Sequence, residues 1–298
     1  MTSRPVTLKG RAGTIAGDRW DGAGDRGTVL LLHGGAQTRH SWSRSGPRFA
    51  DAGWTTYALD ARGHGESDWD PDGDYSMTAL VDDLVDVVEQ LGVRPVLVGA
   101  SMGGITSLVA EGEHSPLASA LVLVDIATRT EPAGVERIFE FMRSAPDGFA
   151  SLEEVADAIA AYNPHRPRPK NLDGLRKNVR QGADGRWRWH WDPAFLRVGD
   201  EPRREAREAR LDQAAQAVTV PTMLVRGKDS DVVSAEGAEQ LLALIPHAVV
   251  REAKAGHMVA GDDNDVFVTQ VVDFLDTQLP RRRRSTDPDA GAVDRRSS

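Results

Sequence analysis

The 298-residue chain contains no cysteine. That removes disulfides, thiolate nucleophiles and zinc–thiolate centres from consideration, and it suits a reducing, cytoplasmic setting. Long apolar runs are also missing. None approaches the roughly 18 residues that span a bilayer, so no membrane contact is expected. The opening stretch, MTSRPVTLKGRAGT, lacks the apolar centre of a secretory signal. Aromatic residues are scarce at 6%, yet three of the seven tryptophans crowd into RWRWHWDP (186–193).

Basic residues are in deficit, 36 Lys and Arg against 45 Asp and Glu, a formal charge of −9. From Arg281 onward six arginines and three aspartates give +3, which leaves −12 on the remainder. A body this acidic repels a phosphate backbone, so nucleic acid is not an expected partner. The RRRR run opens a polar end over 281–298 that reads as a solvated, disordered tail.

What is present is a rhythm. TVLLLHG (28–34), WTTYALD (54–60), PVLVGA (95–100) and SALVLVDIA (119–127) read as buried strands. Between the second and third, SMTALVDDLVDVVEQLG (76–92) sets Leu80, Val81, Leu84, Val87, Val88 and Leu91 on one helical face, with Gly92 as its stop. Strand–helix alternation implies an α/β fold, a parallel sheet covered on both faces. The rhythm breaks over 128–218, where the chain turns helical and polar, with Ser151 and Glu154 as a capping box. It returns with VPTMLVRG (220–227), AEGAEQLLALI, AVVREA and a last helix around VFVTQVVDFLDTQL. The simplest organisation is a core in two parts, 1–127 and 219–280, interrupted by a helical insertion.

One turn carries chemistry. Gly99-Ala100-Ser101-Met102-Gly103 is G-x-S-x-G, between a strand and a helix. Such a turn is so tight that side chains at the flanking glycines would strike backbone, and it projects the serine at its tip. In an α/β sheet that tip lies at the carboxyl end of a strand, where ligands collect. A serine hydroxyl needs a base to take its proton and a carboxylate to hold the base. The chain offers His257 in AGHM, and Asp229 and Asp231 in RGKDSDVVS. Oxyanion donors are expected at the N–H of Met102, directly after the serine, and of Gly35 in the loop after TVLLLHGG. Each is worth about 3 kcal/mol in the transition state.

The ordered set HGG (33–35), DARGHGES (60–67), GASMGG (99–104), RGKDSD (226–231) and AGHM (255–258) resembles the α/β-hydrolase superfamily, in its capped serine-hydrolase branch. The resemblance covers about residues 5–280. It implies a mostly parallel eight-stranded sheet with a helical cap inserted after strand six, and a Ser101–His257–acid triad. Asp231 is preferred to Asp229 because its spacing before VVS matches the acid position of similar sequences. His33 and His64 are expected to be structural, with Asp60 and Arg62 tying backbone together. Ser101 argues against the epoxide hydrolases and haloalkane dehalogenases of this fold, which use an aspartate nucleophile.

The expected activity is cleavage of an ester-like bond in a small or medium organic substrate, through an acyl-enzyme and without metal or organic cofactor. Carbon–carbon bond hydrolysis and cofactor-free peroxidase or perhydrolase chemistry remain open on the same residues, as does a receptor-like homologue with little turnover. Trp42, Trp187, Trp189, Trp191 and Met258 are candidate substrate-binding side chains. The D-x-D-x-D-G run at Asp68, Asp70 and Asp72 begins like a calcium loop. Ala79 at the twelfth position removes the required glutamate, so an acidic loop is expected instead.

Overall fold

The computed structural model describes residues 1–164, 167–200, 204–257 and 264–279. The expected tail, 281–298, and Met258 lie outside them.

Eight strands form one sheet: β1 (Arg4–Lys9), β2 (Thr14–Trp20), β3 (Thr28–Leu32), β4 (Thr55–Leu59), β5 (Val96–Ala100), β6 (Ala120–Val124), β9 (Thr222–Gly227) and β10 (Val249–Ala253). Their order is β1-β2-β4-β3-β5-β6-β9-β10. β1 and β2 are antiparallel to their neighbours, and the remaining pairings are parallel. The two central strands are oily along their whole length because both faces are covered: every residue of β5 and β6 is buried.

Helix α1 (Ser45–Asp51) and the terminal helix (Asn264–Gln278) cover one face, and α2 (Met77–Leu91) and α3 (Met102–His114) the other. The caps of α2 are those the sequence signals. Ser76 Oγ accepts from Ala79 N–H, and Gly92 closes the helix in the left-handed conformation. The β1–β2 hairpin at the sheet edge was not anticipated. Its outer strand is largely exposed, so it lacks the apolar run that marks the inner strands.

Between β6 and β9 the chain leaves the sheet. It forms α4 (Pro132–Arg143), α5 (Leu152–Tyr162), a short hairpin of β7 (Val179–Gln181) and β8 (Trp187–Trp189), two 3-10 turns and α6 (Arg204–Ala217). At the start of α5, Ser151 Oγ accepts from Glu154 N–H, while the Glu154 carboxylate accepts from Ala150 N–H, 2.7 Å away. The insertion has its own apolar centre, in which Phe149, Leu152, Val155, Trp187, Trp189 and Trp191 are buried. The helical reading of this segment therefore needs the hairpin added. Its boundary also shifts: Leu211, Ala214 and Ala215 of α6 belong to the core of the body, where Gly112 of α3 lies against the Ala214 backbone. The segment that rises off the body ends before α6, not at Val218.

The loop 60–75 joins the two parts. Asp60 accepts from the Arg39 N–H and guanidinium and from Glu66 N–H. Arg62 is bidentate to Asp83 (2.5 and 2.7 Å) and also reaches Asp70. Two residues of the insertion dock on this loop: Asp192 accepts from Tyr75 Oη (2.5 Å), and His190 Nδ1 accepts from Gly65 N–H (2.9 Å). The Asp70 carboxylate also accepts from Asp72 and Asp74 N–H, so it shapes a turn. Among the described residues no cluster of metal-ligating side chains occurs, and no helix is long and apolar enough to cross a membrane.

Three histidines, His33, His64 and His190, lie buried within this junction, with ring centroids 5.2 and 5.7 Å apart along the row. Burial depresses all three, and His64 falls to about 3. The folded chain thus binds fewer protons here than the unfolded chain, so stability declines as pH drops from 6.5 toward 3. Within that window the unfolded chain carries a proton on His64 that the folded chain does not, so each fall in pH favours unfolding. Urea melts at pH 7.5, 6 and 5 should show a midpoint falling with pH, and His64→Asn should flatten that fall. An identical pH dependence in the variant would refute the assignment.

Candidate active site

Ser101 follows β5 directly and has φ 47° and ψ −114°, a backbone conformation that a residue with a side chain rarely holds. Two glycines make the turn possible. A Cβ on Gly99 would sit 2.3 Å from Gly103 O, and one on Gly103 would sit 2.5 Å from Leu32 O. Because the obstructing atoms are backbone, repacking side chains cannot relieve them. Gly99→Ala and Gly103→Ala should each cost about 1–3 kcal/mol of stability. Denaturant unfolding would read this, and native-like midpoints would contradict it.

His257 follows β10. Its Nε2 is 3.0 Å from Ser101 Oγ, and its Nδ1 is 2.7 Å from Asp125 Oδ2. The carboxylate partner is therefore Asp125, not Asp231 or Asp229, and the sequence expectation is corrected on this point. Asp125 directly follows β6 and has φ 50°. It is 1% exposed, which demands partners for every lone pair. Its Oδ1 accepts from Gly227 N–H at 2.8 Å, and Oδ2 accepts from Ser230 Oγ at 2.6 Å as well as facing the imidazole. Ser230 is itself fixed by accepting from the N–H groups of Val232 and Val233. Asp231 is turned elsewhere, into an ion pair with Arg137 of α4. Asp229 is exposed, and its N–H donates to Ala255 O.

Serine and aspartate are braced from adjacent strands. Ser101 N–H donates to Val124 O, and Asp125 N–H donates to Val225 O. This cross-bracing lets two residues hold positive φ at strand ends without being released into a looser turn. Gly35 borders the cavity in front of Ser101, and nothing lies within 4 Å of where its Cβ would be. Met102 opens α3, and its side chain lines the same cavity. The neighbouring N–H groups of Gly34 and Gly103 are already engaged, by Gln37 Oε1 and His33 O. His33 sits beneath this loop: Nδ1 is 2.7 Å from Gly34 O, and Nε2 accepts from Ala61 N–H. That arrangement fixes a neutral ring with its proton on Nδ1.

The cavity holds about 420 Å³. Its walls are largely apolar, with Ile138, Phe139 and Phe141 of α4 facing Ile105 and Val232 of the body. The four tryptophan candidates are not among its lining residues. Trp42 is fully buried beside Phe267 in the opposite core layer. Trp189 stacks on Trp191 (5.1 Å between centroids) inside the insertion, with Trp187 on the same strand. The apolar spacing of α4 in PAGVERIFEFMR was the available signal for the roof, and the tryptophan run drew attention away from it.

The model of the alpha/beta hydrolase fold matches residues 27–264. The chain belongs to the alpha/beta-hydrolase family. Esterase Rv0045c from Mycobacterium tuberculosis is 30% identical over 286 residues, covering 92% of this chain and 90% of that protein. A solved structure of the M. tuberculosis esterase aligns with TM-score 0.74 at 28% identity, over 93% of each chain. The structure of E-2-(acetamidomethylene)succinate hydrolase aligns with TM-score 0.80, covering 92% of this chain and 100% of that one. At 23% identity that match speaks for the fold alone. Among curated relatives, the 2-(acetamidomethylene)succinate hydrolase of Mesorhizobium japonicum is 26% identical, over 83% of this chain and 87% of that protein. This alpha/beta hydrolase is accordingly an enzyme of the hydrolase class.

Proposed function

We propose that this alpha/beta hydrolase cleaves an ester-like bond of a small organic substrate by serine catalysis, with Ser101 as nucleophile, His257 as base and Asp125 as acid. The observation that carries the reading is the unbroken hydrogen-bonded path from Asp125 through His257 to Ser101, 2.7 and 3.0 Å, opening on an apolar cavity. Its similarity to an esterase over nearly its full length supports the same conclusion.

In this mechanism His257 takes the Ser101 proton as the hydroxyl oxygen attacks the carbonyl carbon. Asp125 keeps the His257 proton on Nδ1 and stabilises the imidazolium that forms. The N–H groups of Gly35 and Met102 receive the oxyanion. His257 then protonates the departing alcohol, and water, activated by the same imidazole, releases the acid from Ser101.

A panel of p-nitrophenyl esters of rising acyl length, combined with labelling by a fluorophosphonate, tests this. Turnover should appear on part of the panel, and the label should map to the peptide carrying Ser101. No turnover anywhere on the panel, or label elsewhere, would defeat the proposal.

A further inference from the structure

The chain carries an excess of carboxylates, yet none of the described residues lining the Ser101 cavity is acidic. Its two permanently charged lining residues are Arg204 and Arg207. They lie three apart on α6 and so share one face. It is the face that Leu211, Ala214 and Ala215 bury against the body further along the helix. Toward its N-terminal end α6 overhangs the cavity, and there the inward face changes from apolar to guanidinium.

These positions are unfavourable for ordinary surface arginines. Positive charge in the first turns of a helix opposes the helix dipole. Arg204 is partly answered by Glu208, 2.7 Å away, and donates weakly to Thr130 O. Arg207 is half-buried, and no partner for its guanidinium occurs among the described residues. An unpaired planar cation at an otherwise apolar wall matches a carboxylate, which it can engage through two parallel N–H donors.

We propose that Arg207, supported by Arg204, forms an anion subsite of this cavity, and that the substrate bears a carboxylate at the end remote from the bond cleaved. The inference rests on the ester-hydrolase reading above and narrows its substrate class. An apolar middle lying along Ile138 and Phe139 would connect the two ends, so a half-ester of a dicarboxylic acid has the required pattern. The acidic excess of the rest of the molecule makes the subsite more selective in position: an anion is repelled from most of the surface and accepted at one wall.

The probes are mono-4-nitrophenyl esters of succinate, glutarate, adipate and suberate, each compared with the same compound methylated at its free acid. Wild type should prefer at least one acid over its methylated partner by tenfold or more in kcat/KM. In Arg207→Gln that preference should fall to within about twofold of unity, and Arg207→Glu should invert it. A wild-type ratio near one, or a ratio preserved in both variants, overturns the subsite. If wild type cleaves neither form of any probe, the ester-hydrolase reading is what fails. The subsite is then decided by calorimetry of adipate and suberate with Ser101→Ala. Binding lost in the Ser101→Ala, Arg207→Gln double variant sustains it, and no binding overturns it.

Discussion

Asp125→Asn should lower kcat by about 10⁴-fold, whereas Asp231→Asn should leave kcat within about threefold of wild type. The asymmetry follows from what each carboxylate touches. An amide at 125 can present its NH₂ toward His257 Nδ1, which moves the imidazole proton to Nε2 and leaves no base facing Ser101. The same substitution removes charge from a site that receives hydrogen bonds from Gly227 N–H and Ser230 Oγ. A loss of about 1–3 kcal/mol of stability should accompany the loss of rate. Asp231 faces Arg137 at a partly exposed position. Its neutralisation removes a contact between α4 and the loop after β9 worth at most about 1 kcal/mol. Steady-state kinetics on the two variants, with urea melts of both, reads every part of this. A large loss of kcat in Asp231→Asn, with Asp125→Asn close to wild type, would return the acid to Asp231.

The second large effect separates rate from stability at one residue. Ser101→Ala should reduce kcat by about 10⁵–10⁶-fold, leaving only what binding and the oxyanion donors supply. Ser101→Gly should be as inactive but more stable than the alanine variant by about 1 kcal/mol. At φ 47° and ψ −114° a Cβ is a burden that glycine does not carry. Calorimetric melting of the two variants tests this difference. An alanine variant as stable as the glycine one would mean that the turn holds no strain at Ser101.

Much of the architecture was readable because its signals are local. Fully buried strands such as β5 and β6 appear as unbroken aliphatic runs, and the glycines around Ser101 announce a turn with no room for side chains. His257 was legible from the short Gly-His loop after a strand. Asp125 was not, though it stands in plain view at the end of ALVLVD. An aspartate closing an apolar run looks like an ordinary strand terminus, and only the fold sets it against His257, Gly227 and Ser230, more than 100 residues later. Two aspartates in RGKDSD offered a more familiar position. The tryptophan run misled for a related reason: large area invites a binding role, but Trp189 and Trp191 spend theirs on each other. Arg207 had no sequence signal at all, since REAREAR reads as an exposed helix until α6 is laid over the cavity.

The cross-braced turns at the ends of β5 and β6 also set a rule for rebuilding this molecule. Asp125 lies seven residues before α4, so the first wall of the Ser101 cavity is tethered almost directly to the proposed triad. Exchanging the overhanging segment for another, to change which compounds are accepted, would pull on the turnover machinery unless the splice is made downstream of Thr130. On the return side α6 is packed into the body, which gives a second safe junction just ahead of it. Grafts confined between those two seams should alter selectivity alone, while grafts that cross the first seam should slow every substrate alike.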